Sequence, residues 1–181
     1  MLLKKEYLGE FVNESGVFMV SDPCYEIGTW CQGQLNDVAT GKWSAYVNKS
    51  DEGEWGIRCA ELVVEHESIE DAGELSIEVC SFEVGVDSGQ AGIFDLKYYA
   101  NDEAFASEEN PENKFGDTKF YNFCCDLTLS EISAGVIKYG AVSSSGYGDG
   151  AYKCFALKNK KGKIVSVTII FLDEEDEDGN E

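Results

Sequence analysis

The chain is 181 residues long, 43% hydrophobic and 12% aromatic. That length and apolar content suit one core-forming domain and exclude a wholly disordered chain. Its 35 acidic against 14 basic side chains give a net charge of -21, which disfavours nucleic acid and anionic membranes as direct partners and favours basic surfaces.

The opening residues, MLLKKEYLGEF, hold no apolar run of secretory-signal length. No segment approaches the roughly 18 apolar residues of a membrane span. The expected compartment is therefore the cytosol, where the seven cysteines serve as small core residues rather than as a disulfide framework. Short alternating or apolar runs predict strands at VFMV (17–20), KWSAYV (42–47), WGIRCAELVVEHE (55–67) and ELSIEVCSFEVGV (74–86), with shorter ones at AGIFD (91–95) and KFYNFCCDL (119–127). Residues 101–117 read as a long surface loop with one helical turn at most. LTLSEISAGVIKYG (127–140) predicts a helix capped by Ser130, with Ile132, Val136 and Tyr139 on one face. The last elements form a hairpin, AYKCFALKNKKGKIVSVTIIFL, turning at Asn159 to Gly162. The expected fold is mainly β, a β-sandwich or open barrel with one or two short helices, over residues 1–172. An acidic, disordered tail is expected at 173–181. Without the tail's seven acids the first 172 residues still carry -14.

The acids divide into two candidate sites. Between Cys59 and Glu78 stand Glu61, Glu65, Glu67, Glu70, Asp71, Glu74 and Glu78, with no Lys or Arg among them. Strand parity puts Glu61, Glu65 and Glu67 opposite Leu62 and Val64, and Glu74 and Glu78 opposite Leu75, Ile77 and Val79. A hairpin about Ser68–Gly73 would gather these carboxylates on one solvent face. Like charges paired across strands are destabilising, so such a face calls for a functional reason. The alternative site uses Asp22, Asp87 and Asp149, which sit in turn-like contexts with Asp95. Converging aspartates suit Ca²⁺ or Mg²⁺, but Asp-Pro and Asp-Gly are also ordinary turn chemistry. Glu174, Asp176, Asp178 and Gly179 imitate the start of a Ca²⁺ loop, with Glu in place of the first Asp and no distal Glu.

Other chemistry is thinly supported. The single histidine, His66, shares a face with Leu62 and Val64 and reads as a structural core residue. Ser88 and Ser145 lack a nucleophile-elbow context. Cys24, Cys31, Cys124 and Cys125 lack zinc spacing. Phosphate-loop and dinucleotide fingerprints are missing, so no cofactor is expected.

Three stretches, SDPCY (21–25), VDSGQ (86–90) and SGYGDGAY (145–152), resemble a set of uncharacterised bacterial and phage proteins with Val-Asp-Ser-Gly-Gln and Ser-Gly-x-Gly-Asp-Gly-x-Tyr segments. The resemblance implies a β-rich fold and a phage or mobile-element setting, and carries no established activity. The sequence thus points to a non-enzymatic protein whose acidic face occupies the basic groove of a nucleic-acid-binding partner. Its sharpest version is a phage inhibitor of a host defence nuclease, such as an anti-CRISPR. The alternatives are a metal-dependent hydrolase or Ca²⁺-binding module, and a phage structural protein.

Overall fold

The computed structural model describes residues 5–173; the tail and its Ca²⁺-loop-like residues from 174 onward lie outside the described residues. Among these residues eleven strands and one α-helix, besides four short 3-10 turns, follow in order: β1 (Glu6–Asn13), β2 (Phe18–Ser21), β3 (Gly33–Leu35), β4 (Gly41–Asp51), β5 (Ile57–His66), β6 (Ser76–Val86), β7 (Gln90–Asp95), α1 (Lys119–Thr128), β8 (Ala134–Ile137), β9 (Gly140–Ser144), β10 (Gly150–Lys158) and β11 (Ile164–Ile170). They make two antiparallel sheets that do not close into a barrel. One has six strands in the order β1-β4-β5-β11-β10-β6, the other five in the order β3-β2-β7-β9-β8. The expected sandwich is the observed fold.

The main core lies between the sheets and includes Phe11, Phe18, Trp43, Leu62, Val64, Ile93, Val167 and Ile169. Trp43 is fully buried, and its Nε1 donates to Ala39 O at 2.9 Å. A second cluster, Met19, Phe94, Tyr99, Phe105, Phe120, Cys124 and Val142, fills the space between the five-stranded sheet and α1 with its neighbouring turns. The five-stranded sheet is therefore covered on both faces, and β2 and β7 are buried at every position. The six-stranded sheet is covered on one face only. In β4 buried positions alternate with half-buried ones over Trp43–Val47, as one-sided burial imposes, whereas the central strands β5 and β11 are buried at most positions.

Two expectations fail here. KFYNFCCDL is the helix α1, not a strand. Thr118 caps it by accepting from Tyr121 N at 3.1 Å, and Phe120, Cys124 and Thr128 recur every four residues on its buried side. The run's aromatic and Cys content suggested β, and packing against the sheet overrode that preference. LTLSEISAGVIKYG contributes only its first two residues to α1; Ala134–Ile137 is then strand β8. Ser133, at φ +64°, turns the chain back, and a Cβ on Gly135 would stand 2.6 Å from Leu127 Cδ2. The expected C-terminal hairpin does form, with Asn159 Oδ1 accepting from Lys161 N and Lys163 N at 3.0 Å.

Candidate functional site

The aspartates of the three resembling stretches meet at one place. Asp22, at the end of β2, is fully buried. Its Oδ2 accepts from Asp87 N at 2.9 Å and Ser88 N at 2.7 Å. Its Oδ1 accepts from Cys24 N at 2.8 Å and Ser88 Oγ at 2.6 Å. Asp149 Oδ1 accepts from Gly89 N at 3.0 Å. The 87–89 turn is thus held by two carboxylates. The Gly148 turn is pinned in its own right, since Gly148 O accepts from Tyr152 Oη at 2.6 Å and Ser145 Oγ at 2.7 Å.

The donors around Asp22 decide its chemistry. A carboxylate offers about four lone-pair sites, and four donors occupy those of Asp22. A cation would have to displace hydrogen bonds that keep a buried charge solvated. Among the described residues no group of three or more His, Cys, Asp or Glu side chains could hold a metal ion. Asp95, at the end of β7, repeats the arrangement: it is fully buried and accepts from Glu14 N, Ser15 N, Ser15 Oγ and Lys97 N at 2.5–3.3 Å. Because β2 and β7 run antiparallel, the two buried aspartates clasp opposite ends of one strand pair.

Nucleophiles at the junction are muted. Partial burial, reinforced by the charge of Asp22, pushes the Cys24 thiol from 9.0 up to about 12, so it stays protonated at neutral pH. All seven cysteines are free. His66 is buried beside Trp43 with both ring nitrogens engaged. Its Nε2 donates to Thr40 O at 2.7 Å, since a carbonyl can only accept, and its Nδ1 accepts from Ser68 N at 3.1 Å. The ring joins the start of β4 to the end of β5.

The expected acidic hairpin is not formed. β5 pairs with β4 and β11, β6 pairs with β10, and two whole strands lie between them. The local turn signal at Ser68–Gly73 is instead a crossover past the β10–β11 hairpin, where Gly73 approaches the end of the Lys160 side chain. Its seven acids accordingly separate. Glu61 and Glu65 stand on the uncovered face of the six-stranded sheet, where Glu61 accepts from Asn48 Nδ2 at 2.6 Å and Glu65 from Lys5 Nζ at 2.9 Å. Glu78 pairs across to Ala156, a core residue, so it lies on the opposite sheet face, 2.6 Å from Lys158 Nζ. Glu67, Glu70, Asp71 and Glu74 are exposed in and around the crossover.

Sequence reasoning missed what lies between Glu61 and Glu65. Register places Tyr7, Tyr46, Val63, Thr168, Phe155 and Val79 side by side across all six strands. Leu157 and Ile77 flank the row on the next rung. Lys5 lies over the row, its Nζ 4.1 Å from the Tyr46 ring centroid, and Val63 at its centre is buried, whereas at its ends Tyr7 is 57% exposed, Val79 64% and Ile77 74%. Glu10 and Glu65 border the row on one side, Glu61 and Glu83 on the other. The signal was present in the exposed-side residues of each strand, but the strand order needed to align them was not.

The architecture is that of an open two-sheet β-sandwich with aspartate-clasped turns and one sheet face that no second layer covers. A family model described as a protein of unknown function (DUF4241) matches residues 12–169. The chain belongs to that family. No curated protein and no solved structure matches it. Among the described residues no helix is long and apolar enough to cross a membrane.

Proposed function

We propose that this protein is a non-enzymatic binding module, and that the outer face of its six-stranded sheet is the surface that meets a basic protein partner. The carrying observation is the row from Tyr7 to Val79, exposed at both ends and bordered by Glu10, Glu65, Glu61 and Glu83. Exposed apolar side chains at both ends of the row, Tyr7 on one edge strand and Ile77 with Val79 on the other, favour protein contact, and the carboxylate borders favour Lys- and Arg-bearing rims. At the margin of this face Asp173 Oδ2 stands 3.8 Å from Lys153 Nζ. The catalytic readings have no comparable support: the one histidine is committed to structure, and the Asp22 carboxylate is filled.

A net charge of -21 favours a nucleic-acid-binding protein as the partner class, because its groove already carries the complementary charge. A phage-encoded inhibitor of a defence nuclease is one form of that reading, resting on charge and on the resemblance of the VDSGQ and SGxGDGxY stretches. The apolar row changes the expected mechanism. Apolar contact supplies affinity, and the flanking carboxylates set orientation and association rate. Affinity should therefore fall only partly with salt. The test is capture from the heparin-binding fraction of a bacterial lysate on immobilised protein. A basic protein retained by the native chain should be lost with Val79→Glu and weakened with Glu61→Gln plus Glu65→Gln. Retention unchanged by both variants would reject this face.

A further inference from the structure

Two of the seven cysteines face each other at the edge of the six-stranded sheet. β6 is the last strand of that sheet and pairs with β10. Ala156 pairs with Glu78 and Phe155 with Val79, so the next rung sets Cys154 opposite Cys80. The register then shifts. Cys80, Ser81 and Phe82 stand against the single residue Cys154 before Lys153 resumes pairing with Glu83, which is a bulge in β6. Both cysteines take the inward face, Cys154 within the main core and Cys80 packed against it. Opposed residues of an antiparallel pair have Cα atoms about 4.5–5.5 Å apart, within the range of about 4.4–6.8 Å that a disulfide spans. The bulge has already interrupted the ladder at this rung, so a small shift of β6 sacrifices little regular pairing.

The two thiols are unequal. Cys154 is buried, and its contact with Cys80, together with that burial, holds its thiol well above 9.0. Cys80 is only half-buried, at the sheet edge. Interaction with the Cys154 thiol lowers the Cys80 thiol below 9.0, against the opposing effect of burial. The charged groups beside it have opposite effects, Glu78 raising the thiol and Lys158 lowering it, and they form an ion pair at 2.6 Å. A lowered, partly accessible thiol next to a second cysteine is the arrangement that redox-sensing cysteines use.

We infer that Cys80 and Cys154 are a reversible dithiol–disulfide pair oxidised by hydroperoxides, with Cys80 the attacking and Cys154 the resolving sulfur. The Cys80 thiolate attacks one oxygen of hydrogen peroxide. The O–O bond breaks, hydroxide leaves, and Cys80 becomes a sulfenic acid. The Cys154 sulfur then attacks the Cys80 sulfur. The S–O bond breaks, and the departing hydroxide takes the Cys154 proton and leaves as water. The two thiols give up two electrons, peroxide is reduced to water, and one S–S bond joins β6 to β10. An external dithiol reverses the step by exchange. The inference concerns the thiols alone and does not rest on partner binding, although Ile77 and Val79 lie on the strand that the bond ties down.

The test treats the reduced full chain with a small excess of hydrogen peroxide at neutral pH and then blocks remaining thiols with N-ethylmaleimide. The native chain should lose two alkylatable thiols without dimerising. Peptide mass spectrometry without reductant should recover the Cys80 peptide joined to the Cys154 peptide, and dithiothreitol should restore both thiols. Cys80 should be oxidised at least about tenfold faster than Cys24, whose thiol is pushed up to about 12. In Cys154→Ala the sulfenic acid has no resolving partner, so dimedone should label Cys80; in Cys80→Ser, Cys154 should stay a thiol. The peptide map of the native chain needs no variant and decides the matter even where Cys154→Ala is destabilised. A bridge to any other cysteine, a bridge between chains, Cys80 carried on to sulfinic acid in the native chain, or both cysteines left as thiols would overturn the inference.

Discussion

At the Asp22 junction a carboxylate is wholly buried and four donors surround it, whereas Glu61 and Glu65 stand on an open sheet face beside Asn48 and Lys5. The first arrangement satisfies a charge so that three distant turns can be fixed in one place. The second leaves charge facing solvent at the border of an apolar row. Carboxylates in this chain thus divide by environment into clasps and recognition groups, and Asp95, Asp102 and Asp126 fall with the clasps. The difference teaches that the acidity of the chain is not one property. Aspartates that accept backbone N–H groups hold the fold together, and the glutamates at the sheet face, paired only with exposed or half-exposed side chains such as Lys5 and Lys42, can exchange those pairs for a partner's.

Substitutions on the two sides should separate stability from binding. The largest stability loss is expected for Asp22→Asn, which presents an amide NH₂ to backbone N–H donors. It should cost about 3 kcal/mol in denaturant unfolding. Ser88→Ala removes one charge-assisted hydrogen bond and should cost about 2 kcal/mol. At the sheet face, Glu61→Gln plus Glu65→Gln should move stability by no more than about 0.5 kcal/mol. An unfolding loss there as large as at Asp22 would erase the distinction between clasp and recognition group.

The smallest effect is a chemical one. Cys24 is exposed, yet its thiol is pushed up to about 12, so alkylation by iodoacetamide at pH 8 should be slow in the folded protein. The folded value lies above the 9.0 of the free group. The protonated thiol therefore contributes stability that is full below pH 9 and is lost as pH rises toward 12. Asp22→Asn removes one cause of the shift and should speed alkylation in molecules that remain folded. Fast alkylation of the native chain would show that the junction is looser than its hydrogen bonds imply.

How much of this was legible in the sequence follows from the range of each interaction. The strands around Val20, Val47, Leu62 and Ile169 and the turn at Asn159 were legible, because alternation and turn chemistry are local. His66 was legible as a core residue for the same reason. The helix at Lys119 was masked by aromatic and cysteine content, although Thr118 and the four-residue spacing of Phe120, Cys124 and Thr128 carried its signal. The pairing of β5 with β11 was not legible, and with it went the acidic hairpin: a hairpin is the shortest connection, but here the crossover carries β6 to the far edge of the sheet. Asp22 and Ser88 each read as a turn residue. Nothing local says that they bond each other across 66 positions.

The central claim is that the row from Tyr7 to Val79 is a binding face rather than a tolerated patch. The direct measurement is a paired determination of stability and partner affinity for Val79→Glu, an exposed position on the sheet edge. Unfolding free energy within about 0.5 kcal/mol of the native chain, together with loss of the captured basic partner, is the predicted result. Full partner affinity in a variant that remains folded would contradict it.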